Sequence, residues 1–177
     1  HRRTHSPQTR VHIISRQNTQ PTNAHHQHHK HSRTHMKIID DVRTHRATNE
    51  KSVLTIGSFD GVHRGHQRIL EQLIDTARNL DATPTVLTLR PHPREFFSPK
   101  NAPNILTEDT QKFRLFEKVG VQTVFILPFN AQTANLDRED FLKDIILNRC
   151  AAKALVIGHD FAFGKDALGN YTYLNAV

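Results

Sequence analysis

The sequence predicts an α/β fold with a doubly wound parallel sheet, for three reasons. Strand-like and helix-like hydrophobic patterns alternate between residues 52 and 158. The strand-like segments are short, apolar and rich in β-branched residues, as expected for strands that are covered on both faces. Each of them ends at a glycine, a proline or a polar loop. Together these patterns indicate one parallel sheet flanked by helices.

The first two strands are separated by a helix. Residues 52–56 (SVLTI) form the first predicted strand, and residues 67–74 then carry apolar side chains at helical spacing. Residues 84–89 (PTVLTL) form the second predicted strand, which ends at the turn 91–93 (PHP).

A second helix leads to the third strand. Thr107 is a good N-cap for a helix over residues 108–119, and Gly120 closes that helix. The third strand is predicted over residues 122–127, where Pro128 stops it.

The last helix and strand complete the pattern. Asp137 caps a helix that runs to about Arg149, and apolar residues form one stripe along it, namely Phe141, Leu142, Ile145 and Ile146. Residues 154–158 form the fourth predicted strand. Cys150 is the only cysteine, so it has no disulfide partner within the chain, and we interpret it as a small core or flanking residue.

The strongest chemical signal is the turn between the first strand and the first helix, residues 57–66 (GSFDGVHRGH). A helix that begins there directs unpaired N–H groups and the positive end of its dipole at a ligand, and glycines allow close approach. His63 and His66 are suited to donate hydrogen bonds to phosphate oxygens as charge develops on a leaving group. The alternative is that both histidines only cap and flank the helix, but the three glycines, Phe59 and Asp60 favour a phosphate site.

The loops after the first, second and fourth strands are expected to share one site, because ligands of doubly wound sheets bind at the carboxyl ends of strands. His92 lies between two prolines that would hold it toward a ligand, although an ordinary rigid turn accounts for the same residues. Aromatic faces beside these loops suit a flat heteroaromatic ring. Each ring taken alone fits a core position better, but the set predicts that one or two line a pocket: Phe96, Phe97, Phe161 and Phe163.

Residues 1–35 differ in composition from the rest of the chain. They hold nine of the 14 histidines and six basic residues but no acidic residue. Residues 36–177 keep 18 basic and 17 acidic residues, and this near-neutral charge gives no electrostatic footprint for nucleic acid. So polar a tail cannot bury enough surface to offset its ordering entropy. We therefore expect residues 1–35 to be disordered and foreign to the native domain, with Met36 as the natural start.

Two binding roles for the tail stay open, namely metal binding by its histidines and polyanion binding by its basic residues. The tail has neither regular ligand spacing nor an acidic or cysteine partner to close a defined metal site. It also lacks the layout of a secretory signal or a transit peptide, and no apolar run reaches the length of a membrane span. We expect a cytoplasmic protein with one domain over residues 36–177 and no membrane partner.

The turn at 57–66 resembles the nucleotide-binding motif of the adenylyltransferase module of prokaryotic bifunctional riboflavin kinase/FAD synthetases. Later segments resemble the same family in the same order: 89–97 (LRPHPREFF), 106–107 (LT), 124–129 (VFILPF) and 156–165 (VIGHDFAFGK). The resemblance runs from about residue 36 to the end of the chain. It implies a Rossmann-like nucleotidyltransferase fold.

The resemblance also implies an activity, which is transfer of AMP from ATP to FMN to give FAD and pyrophosphate, with Mg²⁺. His63 and His66 would be the catalytic residues. The residues that bind ATP would be Gly57, Phe59, Asp60, Gly61, His63, Gly65 and His66. The residues on the flavin side would be His92, Pro93, Phe97, Asp160 and Phe163. Asp60 is the carboxylate nearest to such a metal, but it would equally serve to order the loop.

Relatives continue past a segment like residues 169–172 (GNYT) to an Ile-Ser-Ser-Thr-x-Ile-Arg segment with further phosphate contacts, and then to a riboflavin kinase module. The sequence ends at Val177, before both. We therefore expect no kinase activity from this chain, and adenylyl transfer without one basic phosphate contact. Two alternatives stay open: another nucleotidyltransferase with the same histidine motif, and a catalytically incompetent fragment.

Overall fold

The structure is a computed structural model that describes residues 9–13, 35–46, 49–62, 64–101 and 109–177. The strands of its main sheet are β1 (Thr9–Ile13), β2 (Lys37–Ile39), β3 (Ser52–Ile56), β4 (Thr83–Arg90), β5 (Thr123–Pro128) and β6 (Ala152–Gly158). They are ordered β1-β6-β3-β4-β5-β2. β1 is antiparallel to β6 and every other pairing is parallel. A two-stranded hairpin follows, β7 (Ala162–Phe163) and β8 (Gly169–Asn170).

Helices connect the parallel strands, and one more follows the hairpin. They are α1 (Arg64–Asn79), α2 (Pro93–Phe97), α3 (Asp109–Val119), α4 (Ala131–Ala134), α5 (Arg138–Asp140) and α6 (Tyr171–Ala176), with short 3₁₀ turns at Val42–Thr44, Asp60–Val62, Pro99–Asn101 and Lys165–Ala167. α5 continues directly into a π-helical segment, Phe141–Arg149. Cys150 follows it, and burial raises the pKa of its thiol, in keeping with a core residue. None of the helices in the described ranges is long and apolar enough to cross a membrane.

Two hydrophobic clusters cover opposite faces of the sheet. α1 and α3 pack on one face, where Leu70 and Phe116 are fully buried. The π-helical segment packs on the other face through residues such as Ile146. Successive side chains of β3 divide between the faces, since Val53 joins the first cluster and Leu54 the second. This arrangement confirms the predicted Rossmann-like α/β fold.

The strand order reverses at β3. β4 and β5 follow on one side of it, whereas β6 returns to the other side. The three loops that were expected to share a site follow β3, β4 and β6, which are neighbours in the sheet and run parallel. Their carboxyl ends therefore lie at one edge, where doubly wound sheets bind ligands.

Most predicted helices and strands agree with the structure, but one predicted α-helix is mostly π-helical. Gly120 closes α3 with φ at 104°, as predicted. Thr107, the predicted cap of that helix, lies outside the described residues. Asp137 caps the last helix by accepting from the backbone N–H groups of Glu139 and Asp140, both at 2.8 Å. That helix has the predicted bounds, but most of it is π-helical, which apolar spacing alone does not reveal.

The tail differs from its expected disorder at Thr9–Ile13, which forms β1 along the outer edge of β6. The Arg10 guanidinium lies 4.4 Å from the Tyr171 ring centroid, and the His12 Nδ1 lies 3.1 Å from the Asn175 Oδ1. A sheet edge presents unpaired backbone groups to any extended segment. The composition of the whole tail did not predict this strand, although β-branched Thr9, Val11 and Ile13 alternate along it as in a strand.

Candidate functional site

The turn after β3 is shaped by its backbone. The Gly57 N–H donates to the Leu87 carbonyl at 3.0 Å, which ties the start of the turn to β4. A Cβ atom at Gly57 would lie 3.2 Å from the Phe59 Cε2, so a larger residue would press on that ring. Phe59 and Gly61 have φ of 52° and 69°, and these left-handed residues fold the chain back toward α1. Asp60 begins the 3₁₀ turn, and Gly65 lies in the first turn of α1.

Phe59 is a core residue that supports His66. Its side chain is 2% exposed, and its ring contacts Phe116 edge to face at a centroid distance of 5.4 Å. The His66 ring packs against it at 5.2 Å, and the His66 Nδ1 is buried. The family resemblance implies that Phe59 binds ATP, and that role stays a prediction. In the structure its ring is buried and packs against the His66 imidazole.

Lys112 of α3 links the same turn to β4, and the sequence reasoning missed it. Its side chain is only 11% exposed, and its Nζ donates to the Ser58 carbonyl at 3.3 Å. The same ammonium lies 3.0 Å from the Asp109 Oδ1, and the other Asp109 oxygen pairs with the Arg90 guanidinium. The available signal was Lys112's position four residues before Phe116, which puts a charge on the apolar stripe of the helix.

The charges of this network keep Asp109 ionised. Burial by itself raises the pKa of the Asp109 carboxyl. The hydrogen bond and charge of Lys112, together with the charge of Arg90, lower the pKa by more, so that it lies below its ordinary value. Two cations therefore share one carboxylate at the carboxyl ends of β3 and β4.

The loop after β4 uses His92 as a helix cap. The His92 Nδ1 accepts the Arg94 backbone N–H at 3.0 Å, and the Glu95 carboxylate accepts the His92 backbone N–H at 3.2 Å. Pro93 is the first residue of α2. A neutral imidazole that accepts at Nδ1 carries its proton on Nε2, so His92 offers one ring donor. The turn is rigid, and it also leaves His92 able to donate to a ligand.

Three phenylalanines form an exposed aromatic cluster beside this loop. Phe96 and Phe97 are 38% and 66% exposed, and their rings lie 5.2 Å apart. Phe129, at the end of β5, packs on both at 5.5 and 5.7 Å. The sequence reasoning singled out Phe96 and Phe97 but missed Phe129. This cluster provides flat apolar surface at the carboxyl edge of the sheet.

The remaining predicted residues, Asp160 and Phe163, follow β6 and differ in exposure to solvent. The Asp160 carboxylate is fully exposed, and its Oδ1 lies 2.9 Å from the His159 Nδ1. Phe163 is 6% exposed and packs between Phe141 at 5.3 Å and Phe161 at 5.5 Å. The family resemblance predicts that Phe163 contacts or shapes a flavin site. Phe163 is buried beneath the half-buried Phe161, and its part in a flavin site stays a prediction.

The structure thus brings part of the predicted set together. The turn that bears Gly57 and His66 and the loop that bears His92 and Phe97 follow neighbouring strands. His63 lies outside the described residues, so its role stays a prediction. Within the described ranges, no group of three or more His, Cys, Asp or Glu side chains is arranged to hold a metal ion. A Mg²⁺ ion that arrives on a nucleotide needs fewer protein ligands, since the phosphates and one or two carboxylates hold it.

The reversed strand order and the glycine-rich turn at the reversal define a Rossmann-like α/β protein with its candidate site at the carboxyl ends of the strands. Comparison with known families then narrows the class. The family described as FAD synthetase matches residues 45–177, and the chain belongs to that family.

The chain is similar to several proteins named bifunctional riboflavin kinase/FMN adenylyltransferase. It is 35% identical over 140 residues to the one from Escherichia coli K12, which covers 78% of this chain and 45% of that protein. It is 36% identical over 141 residues to the one from Haemophilus influenzae, covering 80% and 46% respectively. The chain therefore spans less than half the length of these relatives.

A solved structure shares the fold. It is a crystal structure of a macrolide-efflux protein from Streptococcus pneumoniae, with a TM-score of 0.68 and 26% sequence identity. The match covers 80% of this chain and 46% of that one. The likeness therefore covers about the same share of each chain as the sequence matches do.

Proposed function

We propose that this chain binds ATP and FMN at the carboxyl edge of its sheet and transfers AMP from ATP to FMN, giving FAD and pyrophosphate. The observation that carries the proposal is the placement of a glycine-rich, histidine-bearing turn and an exposed aromatic cluster after neighbouring parallel strands. Membership of the FAD synthetase family supports the choice of substrates.

The turn at 57–66 serves the triphosphate. His66 lies in the first turn of α1, where the helix dipole favours an anion. Its ring is held by Phe59, so a hydrogen bond to a phosphate oxygen needs little reordering. We assign His63 the same task from its place in the motif.

The loop after β4 serves the flavin. The aromatic cluster of Phe96, Phe97 and Phe129 offers faces for a planar ring system. The proton on the His92 Nε2 supplies a hydrogen-bond donor beside them. Asp160 lies in the loop on the other side of β3, where its exposed carboxylate is available to a polar group of the ligand.

For this reaction the protein has to position the substrates and stabilise developing charge, and it does not have to supply a general base. An FMN phosphate oxygen attacks the α-phosphorus of ATP, and the bond from that phosphorus to the α,β-bridging oxygen breaks. The electron pair leaves with pyrophosphate, and because the FMN phosphate is already anionic, no proton has to be removed first. His66 would stabilise the charge on the leaving pyrophosphate, and bound Mg²⁺ would neutralise phosphate charge, with Asp60 as the nearest carboxylate of the turn.

The direct test is to incubate the purified chain with FMN, ATP and Mg²⁺, measure FAD by chromatography, and titrate each substrate by calorimetry. A second form, extended with the Ile-Ser-Ser-Thr-x-Ile-Arg segment of the relatives, is assayed beside it. FAD from the chain itself supports the proposal, and FAD from the extended form alone shows that transfer needs the added segment. Binding without FAD in both forms points to an incompetent fragment, and the absence of both binding and FAD refutes the proposal. Faster adenylylation of nicotinate mononucleotide or pantetheine phosphate than of FMN would favour a different nucleotidyltransferase.

His66→Ala tests the assignment within the turn. Loss of one such hydrogen-bond donor lowers turnover by about a hundredfold or more, and FMN affinity should change by less than about twofold. The matched control is His35→Ala, because the His35 side chain is fully exposed and remote from the turn in sequence. A defect mainly in FMN binding would show that His66 belongs to the flavin side.

A further inference from the structure

Lys112 is a buried cation outside the motifs that define the candidate site. Only 11% of its side chain is exposed, compared with 65% for Lys143, which forms an ordinary surface pair with Glu139. Removing an ammonium from water costs free energy unless strong partners replace the water. Lys112 has two such partners in the Asp109 carboxylate and the Ser58 carbonyl oxygen.

The hydrogen bond to the Ser58 carbonyl connects Lys112 to the turn at 57–66. Ser58 lies between Gly57, whose N–H is held by β4, and Phe59, whose ring backs His66. Its carbonyl accepts from Lys112 across 54 residues of sequence, so the hydrogen bond joins α3 to the turn. Asp109, itself paired with Arg90, holds the ammonium in place. α3 and β4 thereby hold the turn through Lys112.

We propose that Lys112 is a positioning residue for the nucleotide, holding the Ser58 peptide so that the turn presents His66 and its backbone N–H groups to the ATP phosphates. The inference rests on the proposed function, because it names what the held turn is for. Lys112 acts through the turn and is not assigned a contact with the substrate. Its loss should therefore reduce the fraction of molecules in the binding-competent conformation, which weakens apparent ATP affinity in proportion.

The test compares Lys112→Met, which removes the ammonium but keeps the length of the side chain, with Lys112→Arg, which keeps charge and donors. ATP and FMN affinities are measured by calorimetry. Amide hydrogen exchange is followed at residues 57–62 and, for reference, at 141–149. Lys143→Met is the matched control, since it breaks an exposed lysine–carboxylate pair with an N–O distance of 2.8 Å.

We expect Lys112→Met to weaken ATP binding by about tenfold or more, the usual effect of losing a hydrogen bond to a charged group. FMN affinity should change by less than about twofold, and Lys112→Arg should recover part of the loss. Faster exchange should be confined to residues 57–62, starting with the Gly57 amide that donates to Leu87. If Lys112→Met does not fold, Lys112→Gln replaces it, because the amide keeps a donor without the charge.

Three results would overturn the inference. They are unchanged ATP affinity and exchange in Lys112→Met, an equal loss for ATP and FMN with faster exchange throughout the chain, or the same behaviour in Lys143→Met. If the wild-type chain binds no ATP, the proposed function fails and the nucleotide role of Lys112 fails with it, whereas exchange still decides whether Lys112 holds the turn. Local loosening at 57–62 would support that structural contact, and its absence would refute it.

Discussion

The different environments of Phe59 and Phe97 make the sharpest prediction. Both residues lie in motifs with ligand-binding expectations, Phe59 for ATP and Phe97 for the flavin. The Phe59 side chain is 2% exposed and the Phe97 side chain is 66% exposed. Truncation to alanine should therefore affect stability at Phe59 and ligand affinity at Phe97.

The magnitudes follow from burial. Phe59→Ala removes a ring that packs on Phe116 and His66, and a phenylalanine deleted from a core costs about 3–5 kcal/mol of unfolding free energy. Phe97→Ala removes an exposed ring, so its effect on stability should stay within about 0.5 kcal/mol. Loss of one aromatic face from the flavin surface is worth about 0.5–1.5 kcal/mol, which is roughly two- to tenfold in FMN affinity.

Urea denaturation followed by circular dichroism at the helix band measures both stabilities. Tryptophan fluorescence does not serve, because the chain contains no tryptophan. Phe59→Ala alone removes a large part of the total stability of a small domain, so Phe59→Leu is prepared as well, with an expected loss below about 1.5 kcal/mol. FMN affinity comes from quenching of flavin fluorescence.

Equal destabilisation by Phe97→Ala and Phe59→Ala would refute the assignment of one ring to the core and the other to the surface. An unchanged urea midpoint in Phe59→Ala would refute it as well. A Phe97→Ala protein with unchanged FMN affinity would remove Phe97 from the flavin surface without touching the stability prediction.

Three further predictions concern stability and use the same denaturation assay. Gly164→Ala should cost about 2 kcal/mol or more, because φ is 74° and the new Cβ would lie 2.7 Å from the Arg138 Cα, and no loss would contradict this. Asp137→Ala should cost about 1 kcal/mol, since it deletes the cap at the start of α5, and a loss below about 0.3 kcal/mol would count against that cap. Burial, then nearby positive charge, lowers the pKa of His45 from its ordinary 6.5, so the unfolded chain binds the proton more readily. The free energy of unfolding should therefore fall as pH drops below about 6.5. His45→Asn should reduce this pH dependence, and an unchanged pH dependence would show that His45 is not its cause.

The alternation of apolar segments is a local property, and it was enough to predict the parallel sheet and the carboxyl edge at which sheets of this kind bind ligands. Strands of SVLTI or VFILP type have no solvent-facing side, so they require helices on both faces. The glycine and histidine spacing of the turn likewise predicted a phosphate site, because a helix that begins after a strand directs its first backbone N–H groups toward a ligand.

Other features depend on partners far away in sequence. Phe59 and Phe97 are the same residue type in equally suggestive motifs, and only the packing of α3 over the sheet decides that one is core and the other surface. β1 pairs with the outer edge of β6, although the composition of the tail around it indicates a disordered segment.

The sequence by itself determined the fold class, the family and the turn that would hold phosphate. Tertiary structure alone decided what holds that turn in place. Lys112 lies 54 residues from Ser58, and its ammonium reaches that carbonyl because α3 docks beside the turn, where Asp109 pairs with both Lys112 and Arg90. The sequence alone does not explain a lysine on the apolar stripe of a helix, because the partners that stabilise its charge come together only in the folded protein.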